Sequence, residues 1–397
     1  METIRAKTHK PEKPKEKVTE FPTMLVQRRI DFQLLVAVLG LSLYGLIMIL
    51  SASYYRNLIQ EAGAFATIKS QLVWYILGIV CLVFLANFKN LHKLIDKLTP
   101  LIFISALALL IMVLLFGKTL NGAKRWIVIF GVSFQPSEFA KFALILAMSA
   151  FMAKRPKTMS DKNFIVGFLK GVLPMLVLIG AICGLIFLQP NKSTAIIIGA
   201  TAVVLLIMGG IRMRFASFYG VARAGSALFM ILKDQDSLSS LTSFKDPFLD
   251  PSGTGYQTIQ SLYAIASGGL FGTGLGMSKQ KLLFLPYADS DYIFSIICEE
   301  TGFIGAMFLI TLYVFIFYRG IKIALTCRNR FGSLLAAGIS FVFIIQAFIN
   351  IAVSVNLIPS TGQTLPFMSA GGTSLLIYMC AYGVLLNISK DCEPTRV

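Results

Sequence analysis

Apolar runs of about 20 residues alternate with short polar segments from residue 32 to residue 388. A helix needs roughly 20 apolar residues to cross the hydrocarbon core of a bilayer, so each run predicts one membrane span. The pattern predicts an all-α polytopic membrane protein whose two ends lie on the same side of the membrane. The ten predicted spans are 32–52, 71–88, 99–117, 137–153, 166–188, 193–210, 216–233, 293–318, 333–355 and 372–388.

The polar segments between the spans differ in charge. Lys and Arg concentrate in both tails and in alternate loops, such as KNLHKLIDK and YRGIKIALTCRNR, which identifies that side as cytoplasmic. The other side receives four longer, less basic segments, 53–70, 117–136, 234–291 and 356–371. The charge pattern therefore predicts that both termini are cytoplasmic and that a large extracytoplasmic loop joins spans seven and eight.

The domain organisation follows from the same pattern. Residues 1–29 are polar and basic and predict a disordered cytoplasmic tail. Residues 30–390 are predicted to form one transmembrane domain, and residues 391–397 a short cytoplasmic tail. The first apolar run is long and lacks a small-residue cleavage pattern, so no cleavable signal peptide is predicted. Within 234–291, the segment GYQTIQSLYAIASGGLFG is apolar enough to predict a re-entrant or amphipathic helix.

Composition agrees with a membrane protein and excludes other classes. Hydrophobic residues make up 56% of the 397 residues and charged residues 14%, with a mean hydropathy of +0.75, whereas soluble domains carry roughly a quarter charged residues. The net charge of +17 does not indicate a nucleic-acid partner, because the basic residues lie in the loops between spans. None of the six cysteines forms a CxxC, and all fall in predicted spans or on the predicted cytoplasmic side, so neither disulfides nor zinc are expected.

The stretch 274–305, GLGMSKQKLLFLPYADSDYIFSIICEETGFIG, carries the strongest candidate chemistry. Two carboxylates stand at the mouth of a membrane helix predicted to start at Tyr292, where they are costly and therefore indicate function. Nearby cations could hold an anionic substrate while a carboxylate takes a proton from a hydroxyl. The alternative is that Asp291 or Ser290 only caps the helix. The charged residues of the stretch are Lys279, Lys281, Asp289 and Asp291, followed by two glutamates inside the span.

A second polar group leads into the fourth span. Lys124 and Arg125 adjoin a tryptophan, as expected for an interfacial anchor that could also hold phosphate. Ser137 is predicted to cap the helix. Glu138 and Lys141 are three residues apart on one helical face and can neutralise each other. Because an intramembrane ion pair is expensive, the pair indicates either function or structural linkage between helices.

Two further polar segments fall on the predicted outer side. FLQPNKSTA, residues 187–195, predicts a tight loop presenting Asn191 and Lys192, with an ordinary turn as the alternative. Residues 350–376 carry two prolines, three glycines and many hydroxyls at membrane depth. Irregular backbone at that depth is tolerated only where it lines a cavity or packs on protein.

Together these segments resemble the SEDS family (shape, elongation, division and sporulation), the FtsW/RodA/SpoVE group of peptidoglycan polymerases. The matching stretches occur in family order and with family spacing between residues 31 and 376. They are DFQLLVAVLGLSLYGLIMILSAS, NGAKRWI, FQPSEFAKFA, QPNKSTA, GYQTIQSLYAIASGGLFGTGLGMSKQK, DYIFSIICEETGFIG and INIAVSVNLIPSTGQTLPFMSAGGTSLL. The resemblance implies a glycosyltransferase that polymerises lipid II at the outer face of the bacterial cytoplasmic membrane.

The resemblance also implies residue roles. The family's catalytic aspartate, within D-[FY]-I-F, falls on Asp291, and the salt-bridged pair of its QPSE-x-x-K motif falls on Glu138 and Lys141. Three positions depart from the family pattern. Asp289 stands where the family often has His or another residue, and Asn191 where it has an acidic residue. Ala370 stands where Tyr is frequent.

In the implied reaction, Asp291 is the general base for the 4-hydroxyl of the acceptor sugar, and the β-linkage forms by inversion of an α-linked donor. Other residues would supply positioning and charge neutralisation. A divalent cation bridging pyrophosphate and carboxylate is left open as a cofactor, although no metal site is apparent. The substrate-binding candidates are the cations Lys124, Arg125, Lys279 and Lys281 and the hydroxyls Ser360, Thr361, Ser369, Thr373 and Ser374.

A lipid II flippase is the alternative function, and it would carry polar groups through the membrane midplane. The family resemblance further implies partners: a class B penicillin-binding protein with transpeptidase activity, and other membrane proteins of the divisome or elongasome. The first span and the basic tail favour the FtsW-like division type. RodA-like elongation and sporulation roles stay open alternatives.

Overall fold

The computed structural model describes residues 30–61, 63–120, 123–129, 132–156, 167–211, 244–253 and 255–392. Helices dominate these ranges. They are α1 (Phe32–Ile59), α2 (Ala66–Asn87), α3 (Leu91–Phe116), α4 (Pro136–Lys154), α5 (Leu173–Leu188), α6 (Lys192–Met208), α7 (Tyr256–Ser267), α8 (Ile293–Thr326), α9 (Arg330–Ser354) and α10 (Gly372–Ser389). A π-helical turn, Phe168–Val172, leads into α5, and a 3-10 turn, Pro247–Leu249, precedes α7.

The described helices confirm the prediction of an all-α polytopic membrane protein. Eight of them, counting α5 with its π-helical turn, are long and apolar enough to cross a membrane, and α6 is a shorter apolar helix. These nine correspond to nine of the ten predicted spans. The remaining predicted span, 216–233, lies outside the described residues, as do the tail 1–29 and residues 393–397. A helix, α7, also forms in the segment predicted to be re-entrant or amphipathic.

A small antiparallel sheet, which the sequence did not predict, forms between α3 and α4. Its strands β1 (Lys118–Leu120), β2 (Ala123–Ile129) and β3 (Val132–Phe134) pair in chain order, with Ile127 opposite Phe134. The run AKRWIVI favours a strand because β-branched and aromatic residues fit a pleated surface. The sheet places the basic pair of β2 beside the start of α4.

The helices α4, α9 and α10 form the centre of the bundle. In its most apolar window α4 is 78% buried, whereas α2 is 17% buried and so presents most of its surface outward. The other helices pack in pairs around this centre, α2 along α10, α8 along α9 and α3 along α4. Aromatic rings fill the middle, with centroids 5.2 Å apart for Tyr313 and Phe343 and 5.3 Å apart for Phe343 and Tyr382.

Helix α8 is broken at Gly302, where the backbone has φ 69° and ψ −170°. The sequence predicted one continuous span here. A glycine-rich turn fills the break: the Thr273 and Gly274 amides donate to the carbonyls of Glu299 and Glu300, at 2.9 and 3.0 Å. The turn thus supplies the hydrogen bonds that the interrupted helix cannot make for itself, as a break at membrane depth requires.

We expect Gly302→Ala to destabilise the protein strongly. The φ/ψ region of Gly302 is essentially restricted to glycine and costs other residues about 1–3 kcal/mol. In addition, an added Cβ would lie 2.3 Å from the Gly272 nitrogen and 2.5 Å from the Leu270 carbonyl oxygen. Thermal unfolding in detergent should show the loss. Gly180→Ala is the matched control, because a Cβ there meets nothing within 4 Å. Equal melting temperatures for the two variants would contradict the requirement for glycine at the break in α8.

Two predicted helix starts are corrected by the structure. Ser137 does not cap α4: Gln135 is the N-cap, Pro136 is the first helical residue, and the Ser137 hydroxyl accepts from the Asn191 amide at 3.3 Å instead. At α8 the N-cap is Tyr292, and no side chain caps the helix. The reading of Asp291 as a simple helix cap is therefore wrong.

The two ends of the bundle are located by their polar contacts. Near one end, the Asp31 amide donates to Ser389 at 3.1 Å, and Arg319 holds the Asp31 carboxylate at 3.1 Å through its Nε. Asp291 lies at the other end of α8, beyond the break at Gly302; the unbroken part from Gly302 to Arg319 alone spans about 25 Å at the rise of a helix. We call these the opposite end and the Asp291 end.

Candidate active site

Asp291 stands in the link before α8, beside the irregular segment between α9 and α10. Its backbone carbonyl accepts a hydrogen bond from the Asn350 amide at 2.7 Å. The same amide nitrogen donates to the carbonyl of Gln363, also at 2.7 Å. A Cβ built on Gly362, which has φ +61°, would lie 3.6 Å from Asp291 Oδ2, so glycine backbone runs directly beside the carboxylate.

The surroundings of Asp291 weaken its acidity. Burial raises the pKa of the Asp291 carboxyl to about 6; a hydrogen bond from Ser290 and the charge of Arg125 act against this, and the charge of Asp289 adds to it. A carboxylate with such a pKa is ionised at neutral pH and still basic enough to accept a proton.

Asp289 is held differently, although it is only two residues away. The Arg56 guanidinium binds it in a fork, with both N–O distances at 2.6 Å, and the Asp289 side chain is only 5% exposed. No such ion pair occurs at Asp291 within the described residues. The two carboxylates therefore differ in their partners: Arg56 of α1 holds Asp289, whereas Asp291 has no ion-pair partner among the described residues.

The two cations of β2 have different hydrogen-bond partners. Lys124 donates from Nζ to the carbonyls of Leu114 and Leu115 at the end of α3, at 2.9 and 3.1 Å, so two of its three donors are used. Arg125 donates to the carbonyl of Pro190. Its Nε is buried and has no hydrogen-bond partner among the described residues. Burial lowers the pKa of Arg125 and the charge of Asp291 raises it, so this guanidinium and the Asp291 carboxylate lie within electrostatic range of each other.

Lys281 is corrected as a substrate-binding candidate. Its Nζ lies 2.7 Å from Glu300 Oε1 and 2.8 Å from the Ser51 hydroxyl, and the residue is only 7% exposed. Its charge is neutralised by Glu300 inside the protein. Lys279 differs, because its backbone amide donates to Glu299 Oε1 at 2.8 Å while its side chain is exposed and forms no ion pair with the described residues.

The two glutamates just before the break in α8 were not predicted as site residues. Glu299 accepts from the Ser278 hydroxyl at 2.5 Å, and Glu300 accepts from Ser51 at 2.6 Å as well as from Lys281. Together they fix the turn that carries the chain to Asp291. Adjacent carboxylates inside an apolar span were a visible signal for such a role.

Three of the five candidate hydroxyls are corrected too, because they hold the framework instead of facing outward. Ser369 donates to the Ser290 carbonyl at 2.5 Å, Thr373 to the Ser133 carbonyl at 3.1 Å, and Ser374 to Glu138 at 3.2 Å. All three residues are buried.

The other two hydroxyls stand in the segment that runs past Asp291. Ser360 is exposed. The Thr361 hydroxyl is buried and has no hydrogen-bond partner among the described residues. These two therefore stay candidates for contact with a substrate.

Glu138 and Lys141 form a buried ion pair with Nζ 2.8 Å from Oε1; the residues are 3% and 1% exposed. Lys141 also donates to Gln346 Oε1 at 2.5 Å, and Gln346 Nε2 donates to the Thr364 carbonyl at 3.0 Å. The pair is thus connected through one amide to the segment that passes Asp291. Gln346 was not predicted, although a glutamine in an apolar span was a visible signal.

Asn191, where the family has an acidic residue, makes hydrogen bonds that hold the local structure. Its Oδ1 accepts from the Thr194 hydroxyl at 2.8 Å and caps α6. Ser193, in the first turn of α6, donates to the Thr361 carbonyl at 2.8 Å. The QPNKSTA turn therefore supports the Asp291 segment from the side of α6.

Comparison with known proteins decides the family. Residues 32–393 match the family FTSW_RODA_SPOVE, described as "Cell cycle protein". The chain belongs to this family. The resemblance inferred from the motifs is confirmed.

Relatives cover nearly all of the chain. "Stage V sporulation protein E" of Bacillus subtilis (strain 168) is 36% identical over 367 residues, which are 91% of this chain and 97% of that protein. "Probable peptidoglycan glycosyltransferase FtsW" of Trichlorobacter lovleyi is 37% identical over 366 residues, 91% of this chain and 94% of that protein. Relatives with sporulation and division names are thus about equally similar.

Solved structures of the family share the architecture. A chain from "Structural coordination of polymerization and crosslinking by a peptidoglycan synthase complex" gives a TM-score of 0.74 at 26% identity, covering 91% of this chain and 98% of that one. The rod shape determining protein RodA of Thermus thermophilus gives 0.67 at 24% identity, covering 92% and 98%. The second likeness shows the fold alone.

Proposed function

We propose that this FtsW/RodA/SpoVE family member, a peptidoglycan glycosyltransferase, polymerises lipid II into glycan strands, with Asp291 as its general base. The observation that carries the proposal is the contrast between two neighbouring carboxylates. Asp289 is neutralised by Arg56, whereas burial raises the pKa of Asp291 to about 6. Relatives named peptidoglycan glycosyltransferases support the reaction class.

In the proposed step, Asp291 accepts the proton of the acceptor 4-hydroxyl while that oxygen attacks the anomeric carbon of the donor. The bond from this carbon to the pyrophosphate breaks, and the polyprenyl pyrophosphate leaves with the bonding electrons. Attack opposite the leaving group converts an α-linked donor into a β-linked product. Arg125, whose charge acts on Asp291, would neutralise the departing pyrophosphate, and exposed Lys279 is the second candidate for that role.

The pH dependence of the reaction should report Asp291. As pH falls through about 6, the carboxylate takes up a proton, so polymerisation should decline about tenfold per pH unit below that point. An ordinary aspartate would keep its activity down to about pH 4. Initial rates on lipid II from about pH 3.5 to pH 8 measure the limb. In Arg125→Gln the limb should move to higher pH, because the charge that lowers this pKa is gone. A wild-type limb near pH 4 would contradict the raised pKa of Asp291.

The flippase alternative is less well supported by the placement of charge. In every described helix that could span a membrane, Asp, Glu, Lys and Arg occur only in the first or last third of the helix. A flippase would need polar groups through the midplane to carry the pyrophosphate and sugars across.

The chain is a multi-pass membrane protein, and we propose that both termini are cytoplasmic and that 234–291 is outside. The distribution of basic loops supports this orientation. A reporter fused after residue 250 should be active only if it requires export, such as alkaline phosphatase. Activity of a cytoplasm-dependent reporter at that position would reverse the topology.

A class B penicillin-binding protein is the proposed protein partner, within the division or elongation machinery. The support is the similarity to a chain of a peptidoglycan synthase complex. Pull-down of the tagged chain from membranes should recover one such transpeptidase, and its identity would separate division, elongation and sporulation roles.

The proposed cofactor is a divalent cation that arrives with the pyrophosphate of the substrate. A magnesium ion held mainly by substrate phosphates and water needs no cluster of protein carboxylates, and no such cluster occurs among the described residues. Chelation with EDTA should then lower polymerisation, and added Mg²⁺ should restore it.

A further inference from the structure

A cavity of about 770 Å³ opens at the opposite end of the bundle, far from Asp291. It is lined by the link between α2 and α3, the link between α8 and α9, and the end of α10. Its volume falls within the range of roughly 300–1,000 Å³ typical of small-molecule sites. Nothing in the proposed polymerase reaction uses it.

The cavity is strongly basic. Among the described residues, four permanent cations and one carboxylate line it, and that carboxylate, Asp391, lies 3.4 Å from His92. Lys390 keeps its ammonium near the wall by donating to the Asn87 side chain at 3.2 Å. The four cations are Lys89, Lys93, Arg328 and Lys390.

The backbone around the cavity adds to this positive field. Asn387 donates from Nδ2 to the carbonyls of Leu85, Ala86 and Phe88, at 2.9, 3.1 and 2.9 Å, and so neutralises the negative end of α2. Asn90 and Asn329, both in the wall, are the N-caps of α3 and α9. Two positive helix ends therefore open into the same space as the four cations.

If these four cations reflected only the general excess of Lys and Arg in cytoplasmic loops, they would be spread over the surface. Here three separate chain segments bring them around one concave space. We propose that this cavity binds a phosphate-bearing group, either the headgroup of an anionic phospholipid or a soluble phosphate ester such as a nucleotide.

The test compares two triple variants of the purified full-length protein. Lys89→Gln/Lys93→Gln/Lys390→Gln removes three cavity cations. Lys97→Gln/Lys170→Gln/Lys322→Gln removes the same charge from the same end of the bundle but outside the cavity wall. Soluble phosphate is probed by binding of a fluorescent ATP analogue in neutral detergent. Lipid is probed by native mass spectrometry of protein released from nanodiscs of phosphatidylglycerol and phosphatidylcholine.

Wild type and the second variant should bind one of the probes, and the cavity variant should bind it on the order of 100-fold more weakly, at about fivefold per cation. Binding of the ATP analogue would identify a soluble ligand, and selective retention of phosphatidylglycerol a lipid. All three proteins should polymerise lipid II equally. The proposal is wrong if wild type binds neither probe, or if both variants lose binding to the same extent.

Discussion

Asp291→Asn should abolish glycan polymerisation while leaving the protein folded. Loss of general-base catalysis alone costs roughly 10²–10⁴-fold. Asparagine keeps the size of the side chain, and the bond from Asn350 to the backbone carbonyl of residue 291 does not depend on the carboxylate, so positioning is preserved. The measurement is glycan chain yield from lipid II by the purified variant with its partner, in a preparation free of other polymerases, together with lipid II binding, which should be retained.

Stability separates this role from a structural one. Because the pKa of the Asp291 carboxyl is raised in the folded protein, the stability that the group contributes is complete below its unfolded pKa near 4 and is lost as pH rises through about 6. At pH 7.5 the neutral asparagine should therefore melt at the same temperature as wild type or higher. A catalytic group that lowers stability is a common trade-off.

Asp289→Asn is the matched control, since it makes the same chemical change two residues away. It removes the fork with Arg56, so it should lower the melting temperature but reduce polymerisation less than Asp291→Asn. Normal glycan yield from Asp291→Asn would refute the assignment of the base and return attention to the flippase alternative.

The span pattern could be predicted because it depends on local hydropathy. Nine runs became helices, with ends shifted by several residues; α8, for example, continues to Thr326 beyond the predicted residue 318. The break at Gly302 was not predictable in the same way. It depends on a turn about 30 residues earlier that supplies hydrogen bonds to Glu299 and Glu300, and no periodicity within α8 reports that.

The site could be predicted only in part for a related reason. The family motif points to Asp291, but a residue type alone does not reveal which tertiary partner engages the side chain. Thr373 bonds to Ser133, 240 residues away, and Ser374 to Glu138, 236 residues away. Likewise, Glu300 neutralises the charge of Lys281 where the turn meets the helix break. Polar residues at membrane depth were correctly recognised as costly; whether each one binds substrate or framework is decided by tertiary contacts.

The second large effect is expected at the buried pair. Glu138→Ala or Lys141→Ala should each cost about 3–5 kcal/mol of folding free energy, because each leaves an uncompensated charge in the bundle. Activity should fall with stability, since Gln346 connects Lys141 to the Thr364 carbonyl, and the backbone two residues earlier passes Asp291. Thermal melting and lipid II polymerisation, measured on the same preparations, give both quantities.

A double variant distinguishes an energetic role from a positioning role. Glu138→Gln/Lys141→Met removes both charges at similar volume and should recover most of the lost stability, as replaced buried pairs often do. Its activity should stay low, because methionine cannot donate to Gln346. Gln346 Oε1 then keeps only the bond from the Tyr378 hydroxyl, at 2.8 Å, so the segment beside Asp291 is held less firmly. Lys154→Ala serves as the control: its ion pair with Asp96 is exposed, at 60% and 33%, and should contribute at most about 1 kcal/mol. Wild-type stability and activity in either single variant would show that the pair does not hold the site, and full activity in the stable double variant would leave it only a structural role.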